Sequence, residues 1–378
     1  MHLRLANQRF SCRQCGRCCR AFRPALTPLE VEAIAKLPWR GEPPTRDFYT
    51  VFQGRPHLRK DADGRCVYLD SDNRCRMHAA FGAKCKALSC RAYPFELLAT
   101  FSGEVSVAAR YDCPAVSAGE GAKLTAMRAD LEELAADPQL HLGSGFSDRD
   151  LDGLSREAVE TIAAACMETD MRAMERFVIA LEKLGRAFVN DIPTLKEVLP
   201  SMQAKAGRQA WEAPEVLGVT WPQRVALRKE LVYYLRRDEA LKDFGLHTRL
   251  RLAAATAKIY LGGGNARDFS AEHPAIPLRE ARLFDERRWP LSPTDADAME
   301  PYYIYVHTRL ETLQFFGRAY HGEPFFKGLL ALAGTWRVAT LLARLHAAQR
   351  NAQLIDTEDV TYARDIVDHC FGRRLRQP

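Results

Sequence analysis

The spacing of apolar and polar positions changes near residue 119. Before that point apolar residues form short alternating runs, broken by Gly, Pro, Asn and Asp. This spacing predicts a strand over 64–69, a turn over 70–73 and a return over 74–78, a hairpin that brings Cys66 and Cys75 near one another. A helical turn is expected over 79–83. A second hairpin is expected over 95–101 and 104–111, about Ser102-Gly103. One helix interrupts these runs. Thr27-Pro28-Leu29-Glu30 offers an N-cap, a proline at the first helical position and a Glu three residues after the cap, so a helix should run to Lys36 and stop near Pro38. Residues 39–62 read as loop, with Pro43, Pro44, Gly54 and Pro56. Arg9-Phe10-Ser11 reads as a short extended segment.

After residue 119 the apolar period becomes helical. Helices are expected over 122–136, 156–189, 221–235, 246–261, 301–319, 325–351 and 357–371. Thr357 is expected to cap the last, with Glu358 and Asp359 in its first turn. Residues 142–148 read as a linker, and 262–295, rich in Gly and Pro, as a surface wrap. The fold class expected is therefore α+β, mainly α. A small strand-and-turn domain over 1–117 precedes an all-helical domain over 118–378.

Composition adds little until the cysteines are counted. The hydrophobic fraction of 47% and charged fraction of 27% are those of an ordinary globular protein. A chain of 378 residues can bury a core without cross-links. The most apolar run, 325–336, contains Lys327, Gly328 and Gly334, and is not expected to span a membrane. The first residues lack a leader-like apolar stretch, so a cytoplasmic setting with reduced thiols is expected.

Four cysteines fall within Cys12-Arg13-Gln14-Cys15-Gly16-Arg17-Cys18-Cys19, and nine of the chain's eleven lie in its first 113 residues. Short spacings of this kind let one loop turn several sulfurs onto one metal, and Gly16 eases the turn. Zinc and an iron–sulfur cluster are both chemically allowed. Eight thiolates suffice for two zinc ions, and four suffice for one 4Fe–4S cluster. The motif resembles the C-x2-C-x2-C part of bacterial ferredoxin motifs, but Cys19 follows Cys18 directly. Residues 1–113 carry 19 Lys and Arg against 11 Asp and Glu, a net +8 within a chain total of +6. These cations are interleaved with the cysteines, which suits the offsetting of thiolate charge better than a nucleic-acid partner.

The order CxxCGxCC, Cys66-Val67-Tyr68-Leu69, Cys75-Arg76-Met77-His78, Cys90-Arg91-Ala92-Tyr93-Pro94-Phe95 and Cys113-Pro114 is similar to the YkgJ-type cysteine-cluster family, described as zinc- or iron-chelating. The resemblance covers roughly residues 8–116. It implies metal binding by Cys12, Cys15, Cys18, Cys19, Cys66, Cys75, Cys90 and Cys113. Ala87 stands where that family leads one to expect a proline, and Cys85 has no counterpart. The order also resembles flagellin lysine-N-methylases, although the first cysteines are closer together here and residues beyond about 118 match no methylase motif. That resemblance implies an iron–sulfur cluster, S-adenosylmethionine and a protein substrate. The alternative is a structural zinc site with a helical domain that binds a protein partner.

Outside the cysteines, Tyr302, Tyr305 and Arg309 belong to a polar-aromatic cluster. It reads either as helix core or as a pocket for a cofactor or peptide, and these three are the candidate cofactor-binding residues. Gly262-Gly263-Gly264 follows a helix rather than a strand, which favours a helix cap over a nucleotide loop. Cys166, in Ala163-Ala164-Ala165-Cys166, reads as a small buried apolar residue.

Overall fold

The structure is a computed structural model that describes residues 1–52, 54–212, 220–236, 246–284 and 298–372. The chain divides into two compact units. The first comprises Met1–Leu97 and Val105–Gly143, and the second comprises Leu98–Glu104 and Ser144–Pro378. The first unit thus extends beyond residue 117, because the chain after the last clustered cysteine returns to pair with its beginning.

The first unit contains β1 (His2–Leu5), β2 (Arg9–Phe10), α1 (Arg17–Ala21), α2 (Pro28–Ala35), β3 (Tyr49–Phe52), β4 (Arg55–Leu58), α3 (Arg76–Phe81) and α4 (Leu88–Ala92). It continues with β5 (Phe95–Ala99), β6 (Glu104–Ala109), α5 (Pro114–Ser117), β7 (Ala122–Lys123) and α6 (Arg128–Ala135). Three small sheets result, ordered β1-β6-β5, β2-β7 and β3-β4. The side chain of Gln8 extends the first sheet: its Nε2 donates to the Ala109 carbonyl and its Oε1 accepts from the Ala109 amide, both at 2.7 Å.

The helix start at Thr27 forms as its residues dictate. The Glu30 amide donates to Thr27 Oγ1 (3.2 Å) and the Thr27 amide donates to Glu30 Oε2 (2.7 Å). The hairpin over 95–109 also forms. Other expectations are corrected. Residues 49–58, read as loop, form the β3–β4 hairpin, with Pro56 in a two-stranded sheet where few amides need partners. Residues 64–78 form no hairpin of strands. Single bridges join Lys60 to Cys66 and Leu69 to Cys75, and helix α3 begins at Arg76. Asp70 Oδ1 accepts from the amides of Asp72 and Arg74, so a tight side-chain-capped turn replaces the ladder. The helix expected over 122–136 begins only at Arg128, because Ala122 and Lys123 pair with Phe10 and Arg9.

The second unit is helical: α7 (Asp148–Leu151), α8 (Arg156–Met167), α9 (Met171–Lys183), α10 (Arg186–Val189), α11 (Ile192–Glu212) and α12 (Trp221–Leu235). Beyond them come α13 (Leu246–Tyr260), α14 (Leu278–Ala281), α15 (Glu300–Glu311), α16 (Phe325–Gln349) and α17 (Thr357–Cys370). The single pattern over 156–189 is three helices, restarted at the Asp170 cap and at Gly185. The helix α11 has no counterpart among the expected elements, and the surface wrap over 262–295 lies partly outside the described residues. The N-cap of α17 is Asp356, not Thr357. Its carboxylate accepts from the amides of Glu358 and Asp359, a role for which Asp is as well suited as Thr.

Helix α16 is the spine of this unit and packs against α9, α12, α14 and α17. By length and composition it is apolar enough to cross a membrane, and most of that apolar window is buried inside the fold.

Candidate metal centre

The cysteine loop turns because Gln14 and Gly16 both take positive φ, 53° and 67°. Gly16 also leaves room for the end of the Arg20 side chain. A Cβ there would stand 2.5 Å from Arg20 Nη1. Arg20 crosses at that point, donating from Nη1 to the Cys15 carbonyl (3.3 Å) and from Nη2 to Asn73 Oδ1 (2.6 Å). It thereby ties the first cysteine loop to the turn before Cys75. Helix α1 starts at Arg17, so Cys18 and Cys19 are helical neighbours about 100° apart rather than on opposite sides of an extended strand. Cys18 lines a cavity. Cys19 packs against the apolar cluster that contains Cys66, Tyr68 and Met77, as do Cys75 and Cys90.

The remaining cysteines are delivered by short elements. The Cys66 amide donates to the Cys19 carbonyl at 3.0 Å. Cys75 is the N-cap of α3. Cys90 lies on α4, whose first amide, that of Leu88, donates to Glu30 Oε1 at 2.5 Å. Cys113 is the N-cap of α5, where the amides of Ala115 and Val116 donate toward its sulfur.

Five of these residues, Cys12, Cys15, Cys18, Cys90 and Cys113, line one cavity of about 450 Å³. Leu131 and Leu134 of α6 supply an apolar wall. That helix is held by Arg91, which donates to Asp137 Oδ2 at 2.7 Å, and by Lys84, paired with Glu133 at 2.8 Å. His78 and Lys86 also border the cavity.

Residues 11–114 match the CxxCxxCC family model, described as "Putative zinc- or iron-chelating domain". No curated protein and no solved structure matches the chain.

The electrostatics of residues 11–114 follow from burial and cations. A hydrogen bond with Cys19, and then burial, push the Cys18 thiol up. Burial pushes Cys90 up to about 12, and Lys86 opposes it. Burial also raises Cys66 and Cys113, opposed by the Tyr68 amide at Cys66 and by the Val116 and Ala115 amides at Cys113. Amides directed at sulfur, together with a nearby ammonium, are what a thiolate ligand needs in place of water. All eleven cysteines are free thiols. The donor set therefore suits a thiophilic metal.

Cys18, Cys66, Cys75 and Cys90 lie within electrostatic reach of one another, and Cys113 lies within reach of Cys15. Among the described residues, no group of three or more His, Cys, Asp or Glu side chains stands in an arrangement that could hold a metal ion. Cys85 turns away, its Sγ donating to the Phe81 carbonyl at 3.4 Å. Lys60 and Lys86, which act on these thiols, belong to no motif, and only their positions in the fold disclose them.

Tyr302, Tyr305 and Arg309 are placed differently from the pocket reading. Both tyrosines are fully buried, and Arg309 is 4% exposed. Tyr302 Oη and Thr335 Oγ1 share a hydrogen bond of 2.7 Å. Arg309 Nη2 donates to Asp368 Oδ1 at 2.5 Å, and its guanidinium lies 5.6 Å from the Tyr305 ring centroid. These residues bind α15 to α16 and α17 inside the helical unit, which is the helix-core alternative. Cys166 is fully buried, as its apolar helix face requires.

Proposed function

We propose that the N-terminal unit is a metal-binding module whose ligands are drawn from Cys12, Cys15, Cys18, Cys19, Cys66, Cys75, Cys90 and Cys113, and that its metal group is an iron–sulfur cluster held by four of them. The observation that carries this reading is the cavity shared by five cysteines. A single zinc ion is held within a closed tetrahedron of ligands and needs no chamber. A cuboidal cluster does occupy one, and thiolates hold it. The cationic surroundings support the same reading, because cluster and thiolates together carry negative charge. A reducing, cytoplasmic setting is part of the proposal, since thiols this close would otherwise oxidise.

Lysine N-methylation with S-adenosylmethionine rests on the order of the cysteines and on their region being followed by a helical part of similar length to that of the methylases. The polar-aromatic cluster of the helical unit is interior and lends it no separate support. The helical unit remains the part available to a protein partner.

The test is metal analysis of protein purified without oxygen. About four irons and four acid-labile sulfides per chain, with a broad visible absorption, are the expected result. Roughly one or two zincs, with no colour and no sulfide, would replace the cluster with structural zinc.

A further inference from the structure

Lys86 stands between the 3₁₀ turn Ala83–Cys85 and α4. Its amide donates to the Ala83 carbonyl at 3.1 Å, and its backbone is extended, with φ −74° and ψ 152°. Ala87 and Leu88 beside it are buried, and the Leu88 amide is held by Glu30 Oε1. The chain at Lys86 is thus fixed from both sides. Its half-buried side chain borders the cavity of the cysteines.

Three other cations at this cavity are already paired. Lys84 pairs with Glu133 at 2.8 Å, Arg91 with Asp137 at 2.7 Å and Arg13 with Glu120 at 3.1 Å. Lys60, which acts on Cys66, Cys19 and Cys18, is hydrogen-bonded to the Cys19 carbonyl. Lys86 differs from all of these. Asp130 and Glu133 border the same cavity, yet among the described residues no carboxylate pairs with Lys86. The groups that feel its charge are sulfurs. A hydrogen bond with Cys19 and burial raise Cys18, burial raises Cys90, and the Lys86 ammonium is the largest opposing influence at both.

On the iron–sulfur reading of this site, we propose that Lys86 raises the reduction potential of the cluster through the positive charge that it holds beside Cys18 and Cys90. It supplies no ligand and is a positioning residue that acts through two of the thiolates. Reduction adds one electron, and with it one negative charge, to a group already surrounded by anionic sulfur. A fixed cation nearby favours the state that carries the extra charge. Net charge and the groups around the sulfurs are what set the potential of such clusters. A cation spent on a carboxylate contributes little, which is why the unpaired one matters here.

An anaerobic redox titration of the full chain tests this. Dithionite supplies the electron, mediator dyes carry it, and visible absorption and electron paramagnetic resonance report the two states. Iron and acid-labile sulfide are counted first in every protein. Lys86→Met and Lys86→Gln should keep the parent's iron and shift the equilibrium about tenfold toward the oxidised cluster, a potential about 59 mV lower for one electron. Lys86→Arg retains the charge and should hold the parent's potential. Lys84→Met removes a cation from the same cavity that Glu133 already offsets, and should move the potential far less. An unchanged potential in an iron-loaded Lys86→Met, a shift as large in Lys86→Arg, or an equal shift in Lys84→Met would overturn the proposal and leave the cluster in place. Loss of iron from both neutral variants would overturn it in favour of a part in holding the cluster. Zinc without sulfide in the parent would overturn the cluster and the role of Lys86 together.

Discussion

The Cys66 amide donates to the Cys19 carbonyl at 3.0 Å, and the Lys60 ammonium reaches the same carbonyl at 2.5 Å. One oxygen thus locks two cysteine segments together and places a cation beside them. Burial, helped by the nearby Arg23, makes Lys60 release its proton more readily than a free lysine, and the surrounding Cys66, Cys19 and Cys18 oppose this without reversing it. Lys60→Met keeps the stem and removes the contact. The first unit should lose about 1–3 kcal/mol of stability, the value of a hydrogen bond from a charged donor, as read from denaturant unfolding.

Ligand assignment can be read from single thiols. Cys15→Ser and Cys90→Ser should each lose most of the bound metal and loosen the first unit, because binding and folding are coupled in such sites. Cys85→Ser and Cys166→Ser should keep full metal content, since one thiol bonds to the last carbonyl of α3 and the other is sealed in the helical unit. Full retention in Cys90→Ser would remove that residue from the ligand set.

Glu30 serves two helices through one carboxylate, capping α2 with Oε2 and the start of α4 with Oε1. Glu30→Ala should cost about 2 kcal/mol, more than an ordinary cap, and should lower metal content through the displaced Cys90. Glu32→Ala, which removes an exposed surface partner of Lys36, should change stability by less than about 0.5 kcal/mol.

Arg309 and Asp368 form an ion pair whose side chains are only 5% and 2% exposed. Arg309→Leu leaves the carboxylate buried without its cation and should cost about 3–5 kcal/mol. The double variant Arg309→Leu, Asp368→Leu should recover much of that loss. Neither should change metal content. A single variant as stable as the parent would show that the pair is not what holds α15 to α17.

Asp359 gives the helical unit an acid-sensitive joint. Burial pushes its carboxyl up, but His346 Nδ1 at 2.7 Å, two bonds from Arg350 and the Asp356 amide outweigh burial and hold it below the usual range. A carboxylate with a depressed folded pKa stabilises the fold above its unfolded value, about pH 4, and loses that contribution as pH falls through its folded value. Asp359→Asn should therefore lower the melting temperature by several degrees at pH 7, from a loss of about 2 kcal/mol. The gap from the parent should persist down to about pH 4 and close below it. A gap independent of pH down to 2 would assign the effect to packing instead.

Local sequence determined those features whose causes lie within a few residues. Thr27, Pro28 and Glu30 specify a helix start wherever they occur together, and the spacing of Cys12, Cys15 and Cys18 marks a metal loop before any fold is known. The apolar period likewise separates a strand-and-turn region from a helical one. Tertiary structure decided what depends on partners distant in the chain. Ala122 and Lys123 left their helical pattern because Phe10 and Arg9 offered a strand. Tyr302, Tyr305 and Arg309 became interior because Thr335 and Asp368 meet them, although the same helical spacing would serve a pocket wall equally well. Cys113 joined Cys12, Cys15, Cys18 and Cys90 around one cavity. Periodicity records which side of a segment is apolar, whereas cavity or core is settled by the shape and charge of the surface that packs against it.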